Sequence, residues 1–284
     1  MPDGREPPGL DVAPWLAAFR RACDRAAEAI AAIDPAQRAQ RLGPGAGGDI
    51  TMRVDRVAED IVVEELEALG RPLTLISEEV GERAIGGGGR HFVVVDPVDG
   101  SVNAARGLPA FATSIALADG PSLGDVVLGV VRDHGTGEEH MAIRGEGAWR
   151  DGRPIRAAEP RDDGRLPILM VEGATPRRLT RAAGRLEGRV GRFRAVGALA
   201  LSLCHAASGR ADAAVGLGQG RSVDIAAAQL VAREAGLLVG LPYEDDLEAG
   251  ALALDARYHV VAAPSAAVMA LLRDAALGRG DDAA

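Results

Sequence analysis

The sequence predicts a fold of stacked α and β layers, either α+β or α/β, rather than a single doubly wound sheet. Three patterns that follow one another along the chain lead to this prediction. Apolar residues recur at helical spacing up to residue 70, short β runs and tight turns occupy residues 72–155, and strands alternate with helices from residue 166 onward. No internal repeat and no linker interrupts this order.

Two long helices open the predicted fold. Residues 12–33 carry apolar side chains at the spacing of an amphipathic helix. Residues 54–70 predict a second helix that ends at Gly70, a residue type favoured just after helix C-termini. Between them, the glycine-rich stretch 41–52 predicts a mobile loop. Its GPGAGG segment follows no strand and lies in no βαβ unit, so a dinucleotide site is not indicated.

Short β runs dominate the middle of the chain. Two core strands are predicted at 72–79 and 91–97, joined by a flexible GGGG connector. An antiparallel meander and a hairpin that turns at Asp151-Gly152 are predicted over 111–119, 126–131, 138–143 and 145–155. The segment GPSLG (120–124) matches the G-x-S-x-G nucleophile pattern, but strands flank it on both sides, so we predict a hairpin loop.

The second half alternates strands with helices. The predicted strands cover residues 166–173, 211–217 and 259–263. The predicted helices cover residues 176–188, 223–236 and 264–277, with a turn and helix over 193–209. We predict a loose N-terminus (1–10), one unit (11–276) made of an α+β half (11–160) and an α/β half (161–276), and a frayed tail (277–284).

The composition limits the classes of partner. The chain has 284 residues, 47% hydrophobic and 26% charged, with a formal net charge of −9. That length and composition suit a soluble globular protein with a full-sized core. The negative charge disfavours nucleic acid or an anionic membrane as the main partner. An anionic substrate would need a local positive charge, such as a metal ion.

The residue types also exclude some chemistry. No lysine occurs, so all 32 residues counted as lysine or arginine are arginine, which excludes Schiff-base chemistry and the lysine-bearing phosphate loop of nucleoside triphosphatases. Cys23 and Cys204 lie far apart, and the five histidines show no ligand spacing. The chain lacks a signal-peptide pattern and an apolar run near the ~18 residues of a membrane span, which predicts a cytoplasmic protein.

Carboxylates follow two of the predicted core strands. In HFVVVDPVDGSVN, Asp96 and Asp99 come after a buried run, and Glu78 and Glu79 close the other strand. Asp224 lies in the first turn of a later predicted helix. Repulsion and desolvation oppose such clusters unless a cation is bound. Together these acids supply oxygen ligands for two or three ions, and hard oxygen ligands favour Mg²⁺ or Mn²⁺.

The segment after Asp96 also predicts an anion site. Pro97 has no N–H to donate, so we predict that the strand ladder stops there. We predict Ser101 as the N-cap of a short helical turn. Such a turn would gather the two aspartates and the carbonyl of Val98 around one point, with the amides of Gly100 and Ser101 facing it. A strand, turn and cap that bind no ligand are the alternative for this segment taken alone.

These residues resemble the inositol monophosphatase family, the lithium-sensitive, magnesium-dependent phosphatases. The family pattern places two glutamates after a strand, then D-P-x-D-G-[TS]-x-N, then a D-x-A-A helix start. SEEVG, DPVDGSVN and VDIAAAQLVAREAG occur here in that order, and the resemblance covers about residues 12–275. GDITMRVDRVAED and DPVDGSVNAARGLP are most similar to the archaeal branch, whose members hydrolyse inositol phosphates and fructose 1,6-bisphosphate. The resemblance implies an αβαβα layered sandwich, usually dimeric.

The resemblance also implies roles for individual residues. The implied ligands are Glu78, Asp96 and the Val98 carbonyl for a first ion, Asp96, Asp99 and Asp224 for a second, and Glu78 for a weaker third. Ser101 and Glu78 would orient a metal-held water for in-line attack on phosphorus. Asp55 would accept the proton of the Ser101 hydroxyl, and no phosphoenzyme is implied.

Four positions depart from the family pattern. Ser101 replaces the commoner threonine and keeps the hydroxyl, Arg53 lies where archaeal members have lysine, and Val223 lies where tryptophan or tyrosine is usual. Leu217 lies where inositol-specific members carry a glutamate that binds ring hydroxyls. The motifs therefore predict the phosphate chemistry, whereas the glutamate typical of inositol-specific members is replaced by Leu217.

These observations predict a magnesium-dependent phosphomonoesterase that acts on a small sugar or cyclitol phosphate. Inositol monophosphate and fructose 1,6-bisphosphate rank nearly equal as substrates. A 3′-phosphonucleotide or NADP is a weaker alternative, because an aromatic content of 3% offers few stacking partners for a base. A non-catalytic phospholigand-binding protein on the same fold is the alternative from another class.

A bisphosphate substrate would need a second anion site beyond the metals. Arginine suits that role by its fork of donors, and no lysine competes for it. Arg177 and Arg178, where a helix follows a strand, are the predicted candidates, with Arg194 and Arg221 as alternates. We expect a homodimer without nucleic-acid or membrane partners.

Overall fold

The computed structural model describes residues 10–242 and 246–277. Of the predicted loose N-terminus and frayed tail, residues 1–9 and 278–284 lie outside the described residues. Leu10, the last residue of the predicted N-terminal segment, packs against the core that surrounds the first helix. Leu277 closes a π-helical turn that follows the last α-helix.

Eight α-helices and seventeen strands span the described residues. The helices are α1 (Ala13–Ala32), α2 (Pro35–Arg38), α3 (Arg53–Ala68), α4 (Ser101–Arg106), α5 (Pro176–Arg185), α6 (Leu199–Ala207), α7 (Ser222–Glu234) and α8 (Ala266–Leu271). The strands are β1 (Arg41–Pro44), β2 (Ile50–Met52), β3 (Leu73–Ser77), β4 (Gly81–Ile85), β5 (Phe92–Asp99), β6 (Ala112–Ala118), β7 (Val126–Asp133), β8 (Glu139–Ile143), β9 (Gly147–Arg150), β10 (Arg153–Pro154), β11 (Leu166–Glu172), β12 (Val190–Arg194), β13 (Ala213–Gly216), β14 (Gly220–Arg221), β15 (Leu238–Gly240), β16 (Arg257–Tyr258) and β17 (Val261–Ala263).

Two main sheets organise the chain. The larger has eight strands in the order β10-β9-β8-β7-β6-β5-β3-β4, and the smaller has five in the order β12-β11-β13-β17-β15. In the larger sheet every neighbouring pair is antiparallel except β3 and β5, which are parallel. In the smaller sheet β11 is parallel to both of its neighbours. The antiparallel meander predicted from the sequence corresponds to β6, β7 and β8.

Three apolar clusters stack these elements into five layers. On one face of the larger sheet, α1 and α3 pack through residues that include Trp15, Phe19 and Leu66. The space between the sheets is filled by α6 and α7. The outer face of the smaller sheet is covered by α5, α8 and the π-helical turn after α8, through residues that include Ala182, Val268 and Leu272. The layers form the αβαβα sandwich that the family resemblance implied.

The pleat of β5 explains why the larger sheet accepts helices on both faces. Val93 and Val95 pack with α1 and α3, whereas Val94 packs with α6 and α7. Successive side chains of a strand point to opposite faces, so a strand buried on both sides is apolar throughout. On β7, a Cβ at Gly129 would lie 2.6 Å from the carbonyl oxygen of Ala227, so the glycine lets α7 approach the sheet closely.

Several strands were not predicted from the sequence, and each of them is short or exposed. The stretch 41–52, predicted as a loop, contains the antiparallel pair β1 and β2 with an irregular register after Arg41. β4 carries three exposed residues in its centre, and β12 lies at the edge of its sheet with two arginines exposed. The predicted turn at Asp151-Gly152 is confirmed, because both residues have positive φ angles, 50° and 72°.

The structure also bears on membrane association. Among residues 10–242 and 246–277, no helix combines the length and the apolar character that crossing a bilayer requires.

Candidate active site

Two parallel strands bring the first acids together. In the pairing of β3 with β5, Ser77 lies opposite Val95. Glu78, directly after β3, and Asp96, within β5, therefore follow paired residues and lie at the same end of the two strands. Asp96 is 2% exposed, so its carboxylate is almost entirely removed from water.

The strand β5 continues past Asp96 as a bulge. Its pairing with β6 is irregular between Asp96 and Asp99, so the predicted end of the strand at Pro97 is wrong. Pro97 has no N–H that would need a partner on the neighbouring strand. Its carbonyl oxygen accepts a hydrogen bond from Thr113 Oγ1 at 2.8 Å. Asp96 Oδ1 accepts the N–H of Val98 at 3.0 Å. The bulge thus lets both aspartates line one cleft.

Asp99 ties the strand to the C-terminal half of the chain. Its Oδ1 accepts the N–H of Leu199 at 3.1 Å, and its Oδ2 accepts the N–H of Ala200 at 2.7 Å. Both donors lie in the first turn of α6, where N–H groups lack helical partners and a carboxylate is stabilised. The same side chain therefore lines the cleft and fixes the start of a helix.

Asp224 completes the cluster from a third element. It is the third residue of α7, and its Oδ2 accepts the N–H of Arg221 at 2.8 Å. Ligand atoms of Glu78, Asp96 and Asp224 all lie within 4.8 Å of one another. Residues predicted from three separate motifs thus converge on one point.

Electrostatics show that this cluster favours a cation. Burial, and then the neighbouring Glu78 and Asp99, raise the pKa of Asp96 well above its usual range. Burial, and then Asp224, do the same to the pKa of Asp99. Burial raises the pKa of Glu78 to about 8, even though Arg221 opposes the shift. A divalent cation would favour the ionised carboxylates, and the all-oxygen donor set fits Mg²⁺ or Mn²⁺.

Asp55 lines the same cleft from the first turn of α3. Its Oδ2 accepts the N–H of Met52 at 2.8 Å, whereas its buried Oδ1 has no hydrogen-bond partner in the described chain. Burial, and to a smaller degree the negative charge of Glu79, raise the pKa of Asp55 to about 7. A carboxylate with such a pKa is suited to exchange a proton near neutral pH.

Gly100 and Ser101 begin α4 at the edge of the cleft. The N-cap is Gly100, with a φ of 86°, and Ser101 is the first helical residue. The prediction of Ser101 as N-cap is therefore wrong by one position, because the turn requires a left-handed conformation that glycine adopts without strain. A Cβ at Gly100 would also lie 2.8 Å from the carbonyl oxygen of Ala110.

The β1–β2 hairpin closes one side of the cleft. At its tip, the N–H of Gly47 donates to the carbonyl of Glu78 at 2.7 Å. Arg221 forms ion pairs with Glu78 and with Asp49 of the hairpin. Arg257 donates to the carbonyl of Gly47 at 3.4 Å. The glycine-rich stretch is thus an ordered hairpin in contact with the acid cluster.

The cleft has a volume of about 630 Å³, and only one of the four predicted substrate arginines lines it. Arg221 lines it, whereas Arg177, Arg178 and Arg194 do not. The first two of these lie in α5, and Arg194 donates to the carbonyl of Phe193 on β12. Their role in substrate binding stays a prediction that this geometry does not support.

Glu59, which the sequence analysis did not single out, supports the acids after β3. It accepts hydrogen bonds from Ser77 Oγ and, at 3.2 Å, from the N–H of Val80. These donors bracket Glu78 and Glu79 in the sequence. Glu59 follows Asp55 by four residues on α3, and a second acid on the buried helix face is the signal that could have revealed it.

Glu172 supports the site from the smaller sheet and also escaped the sequence analysis. Its carboxylate accepts the N–H groups of Val196 and Gly197 at 2.9 and 3.0 Å and the hydroxyl of Ser202 at 2.6 Å. Asn103 of α4 donates to the carbonyl of Val196 at 2.7 Å. The segment that enters α6 is thus held from two sides. Glu172 ends a buried strand, which is the signal that singled out Glu78.

Comparison with known proteins identifies the family. The model of the inositol monophosphatase family matches residues 11–275. The chain belongs to the inositol monophosphatase family. A relative within this family, the fructose-1,6-bisphosphatase/inositol-1-monophosphatase of Methanothermobacter thermautotrophicus, is 36% identical over 77% of this chain and 80% of its own length. The bifunctional NADP phosphatase/NAD kinase of Methanocaldococcus jannaschii is 30% identical over 69% of this chain and 39% of its own length.

Solved structures share this fold. The MJ0109 gene product, an inositol monophosphatase–fructose 1,6-bisphosphatase, has a TM-score of 0.78 at 25% identity, over 92% of this chain and 98% of its own. The extragenic suppressor protein SuhB of Bartonella henselae has a TM-score of 0.77 at 26% identity, over 94% and 99%. The predictions of the family, of the layered fold and of a phosphoric monoester hydrolase are confirmed.

Proposed function

We propose that this protein is a magnesium-dependent phosphomonoesterase that hydrolyses inositol monophosphate, fructose 1,6-bisphosphate or both. One observation carries the proposal: oxygens of Glu78, Asp96 and Asp224 lie within 4.8 Å of one another, in a cleft that the start of α4 also lines. Carboxylates alone repel a phosphate, so this arrangement favours phosphate binding only together with divalent cations.

The acid cluster has enough oxygens for two or three Mg²⁺ ions, with Mn²⁺ as a substitute. We propose the ligands implied by the family resemblance, namely Glu78, Asp96 and the Val98 carbonyl for one ion, Asp96, Asp99 and Asp224 for a second, and Glu78 for a weaker third. Bound ions would neutralise the phosphate oxygens and promote ionisation of a water molecule.

Residues around the cluster would bind the phosphate, orient the attacking water and accept a proton. The N–H groups at the start of α4, at Gly100 and Ser101, would hold phosphate oxygens, because they have no helical partners. The Ser101 hydroxyl and the Glu78 carboxylate would orient the attacking water. Asp55, with its pKa near 7 and a free Oδ1, would accept the proton of the Ser101 hydroxyl.

Relatives support this substrate class and supply a second candidate. The relative from M. thermautotrophicus is named for activity on fructose 1,6-bisphosphate and inositol 1-phosphate. The relative named as an NADP phosphatase favours NADP or a 3′-phosphonucleotide as the second candidate. A non-catalytic phospholigand-binding role is the third, and the presence of every predicted metal carboxylate argues against it.

Phosphate release from a panel of sugar, inositol and nucleotide phosphates tests the proposal. We expect release from fructose 1,6-bisphosphate or inositol 1-phosphate with Mg²⁺ or Mn²⁺ and none with EDTA. Asp60→Ala, an exposed change on α3, is the matched control for variants of the acids in the cleft. Release that persists in EDTA, or none from any sugar or inositol phosphate, would contradict the proposal.

We further propose a homodimer, because members of this family are usually dimeric. Light scattering coupled to size-exclusion chromatography would measure its mass in solution, and a monomer at micromolar concentration would contradict it.

A further inference from the structure

The cleft extends beyond the acids to an outer wall. One part of this wall is a face of α4 formed by Val102, Ala105 and Arg106, which follow the i, i+3, i+4 spacing of neighbours on a helix. The other part comes from the open end of the β1–β2 hairpin, where Arg41 pairs with Met52. Each part contributes one arginine to the same cavity.

These two arginines differ from the third arginine of the cleft. Arg221 is engaged by Glu78 and Asp49. Among the residues that the structure describes, neither Arg41 nor Arg106 has a carboxylate partner. In a chain with a net charge of −9, two guanidinium groups without carboxylate partners add positive charge to the lining of a cleft that also holds the acid cluster.

We propose that Arg41 and Arg106 bind the second anionic group of a substrate that carries two, as in a sugar bisphosphate. This inference rests on the proposed function, because the reacting phosphate must lie at the acid cluster and the start of α4. Ser101 and Arg106 are five residues apart, which corresponds to about 7.5 Å along the helix. That rise is comparable to the length of a six-carbon sugar, and guanidinium groups match phosphate by paired donors.

The surface between the two anion positions suits the uncharged part of such a substrate. Val102 is 59% exposed and Ile50 is 38% exposed, and both line the cleft. Exposed apolar side chains beside anion sites fit the C–H face of a sugar ring. The lining of the cleft therefore combines an acid cluster for metal and phosphate, exposed apolar side chains, and two arginines without carboxylate partners.

The experiment compares a bisphosphate with a monophosphate. Steady-state kinetics would be measured on fructose 1,6-bisphosphate and inositol 1-phosphate for Arg41→Ala, Arg106→Ala and the double variant. We expect the ratio of the two kcat/KM values to shift against the bisphosphate by about 10-fold in each single variant and more in the double variant, as expected for lost charge-assisted hydrogen bonds. Arg192→Ala, an exposed arginine of β12 outside the cleft, is the matched control.

A second measurement does not depend on turnover of the bisphosphate. Fructose 6-phosphate keeps only the distal phosphate, so it should inhibit hydrolysis of inositol 1-phosphate competitively. We expect its inhibition constant to rise by about 10-fold or more in the double variant, for the same loss of donors. Thermal melting would establish that the variants are folded.

Three outcomes would overturn the inference. Equal effects of the double variant on both substrates would place the arginines at the shared phosphate or in folding. A shift confined to Arg177→Ala/Arg178→Ala would move the second anion site to α5. Hydrolysis of inositol 1-phosphate without turnover of fructose 1,6-bisphosphate would remove the second site and leave the phosphatase, whereas loss of all Mg²⁺-dependent release would refute the proposed function itself.

Discussion

The carboxylate of Asp99 accepts the N–H of Ala200 at 2.7 Å, across a sequence separation of 101 residues. It also accepts the N–H of Leu199, so it fixes the first turn of α6. Asp96, three residues earlier, accepts the N–H of Val98 in its own bulge. The Asp99 side chain therefore links distant parts of the chain, whereas the hydrogen bond from Val98 to Asp96 is local.

This difference predicts separate effects of Asp96→Asn and Asp99→Asn. Asp96→Asn should lower kcat by about 10³-fold or more, because the proposed bridging ligand of two ions is lost, while the melting temperature of the metal-free protein stays the same or rises. Asp99→Asn should lower kcat and also cost about 1–3 kcal/mol of stability, since an amide cannot accept both N–H groups. Kinetics and urea unfolding in EDTA measure the two effects. Full activity of Asp96→Asn in EDTA would exclude the proposed metal site.

Asp55 and Ser101 are expected to act as a unit. Ser101→Ala and Asp55→Asn should each lower kcat by about 10²-fold, because each removes one end of the proposed proton link. The double variant should lose little more than either single variant. A double-mutant cycle on kcat measures the coupling. Losses that multiply independently would show that the two residues have separate roles.

Glu59 is expected to position Glu78 and Glu79 through Ser77 and Val80. Glu59→Ala should weaken Mg²⁺ or Mn²⁺ binding by about 10- to 100-fold, the usual effect of removing a partner that orients a metal ligand. Isothermal titration calorimetry measures that affinity without turnover, and Asp60→Ala, the adjacent exposed acid, is the control. Unchanged metal affinity with lowered stability would reduce Glu59 to a structural role.

The raised carboxylate pKa values predict that the metal-free protein loses stability as pH rises. Asp55 and Glu78, with pKa values of about 7 and about 8, bind protons more tightly in the folded than in the unfolded state. Their contribution is complete below the unfolded values near pH 4 and is lost as pH rises through about 7 to 8. In EDTA, the melting temperature should therefore fall between pH 6.5 and 8.

Added Mg²⁺ provides the matched test of the same groups. Because metal binds the ionised carboxylates, its stabilising effect on melting should be larger at pH 8.5 than at pH 6.5. Burial lowers the pKa of His134 and His140 to about 4, so these residues lower stability only as pH falls below about 6.5. Burial also raises the pKa values of the Cys23 and Cys204 thiols, which lowers stability as pH rises through the ordinary thiol pKa of about 8.5. The window from pH 6.5 to 8 therefore reports mainly on the carboxylates, and a melting temperature in EDTA that rises across it would contradict the assignment.

Most of the layered fold and all of the clustered acids could be predicted from local patterns. The acids Glu78, Asp96 and Asp224 each follow or begin an element that its own apolar pattern defines. Their convergence depends on the parallel pairing of β3 with β5 and on the packing of α7 between the sheets. The resemblance to a known family supplied that long-range information.

The features that sequence analysis missed depend on tertiary contacts. The strands β1 and β2 have no apolar alternation, and their hairpin is held by Glu78 and Arg221 from distant parts of the chain. The bulge at Pro97 depends on the neighbouring Thr113. Arg41 and Arg106 look like ordinary surface arginines in the sequence, and only the shape of the cleft distinguishes them from Arg177 and Arg178.

The origin of the acids in two halves of the chain has a practical consequence. Glu78, Asp96 and Asp99 precede the exposed segment 159–163, whereas Asp224 follows it. A chain cut in that segment would yield two fragments, neither of which carries the complete set of metal ligands. Phosphate release would then require the fragments to reassemble, so the enzyme could serve as a split reporter whose signal measures the association of proteins fused to its two parts.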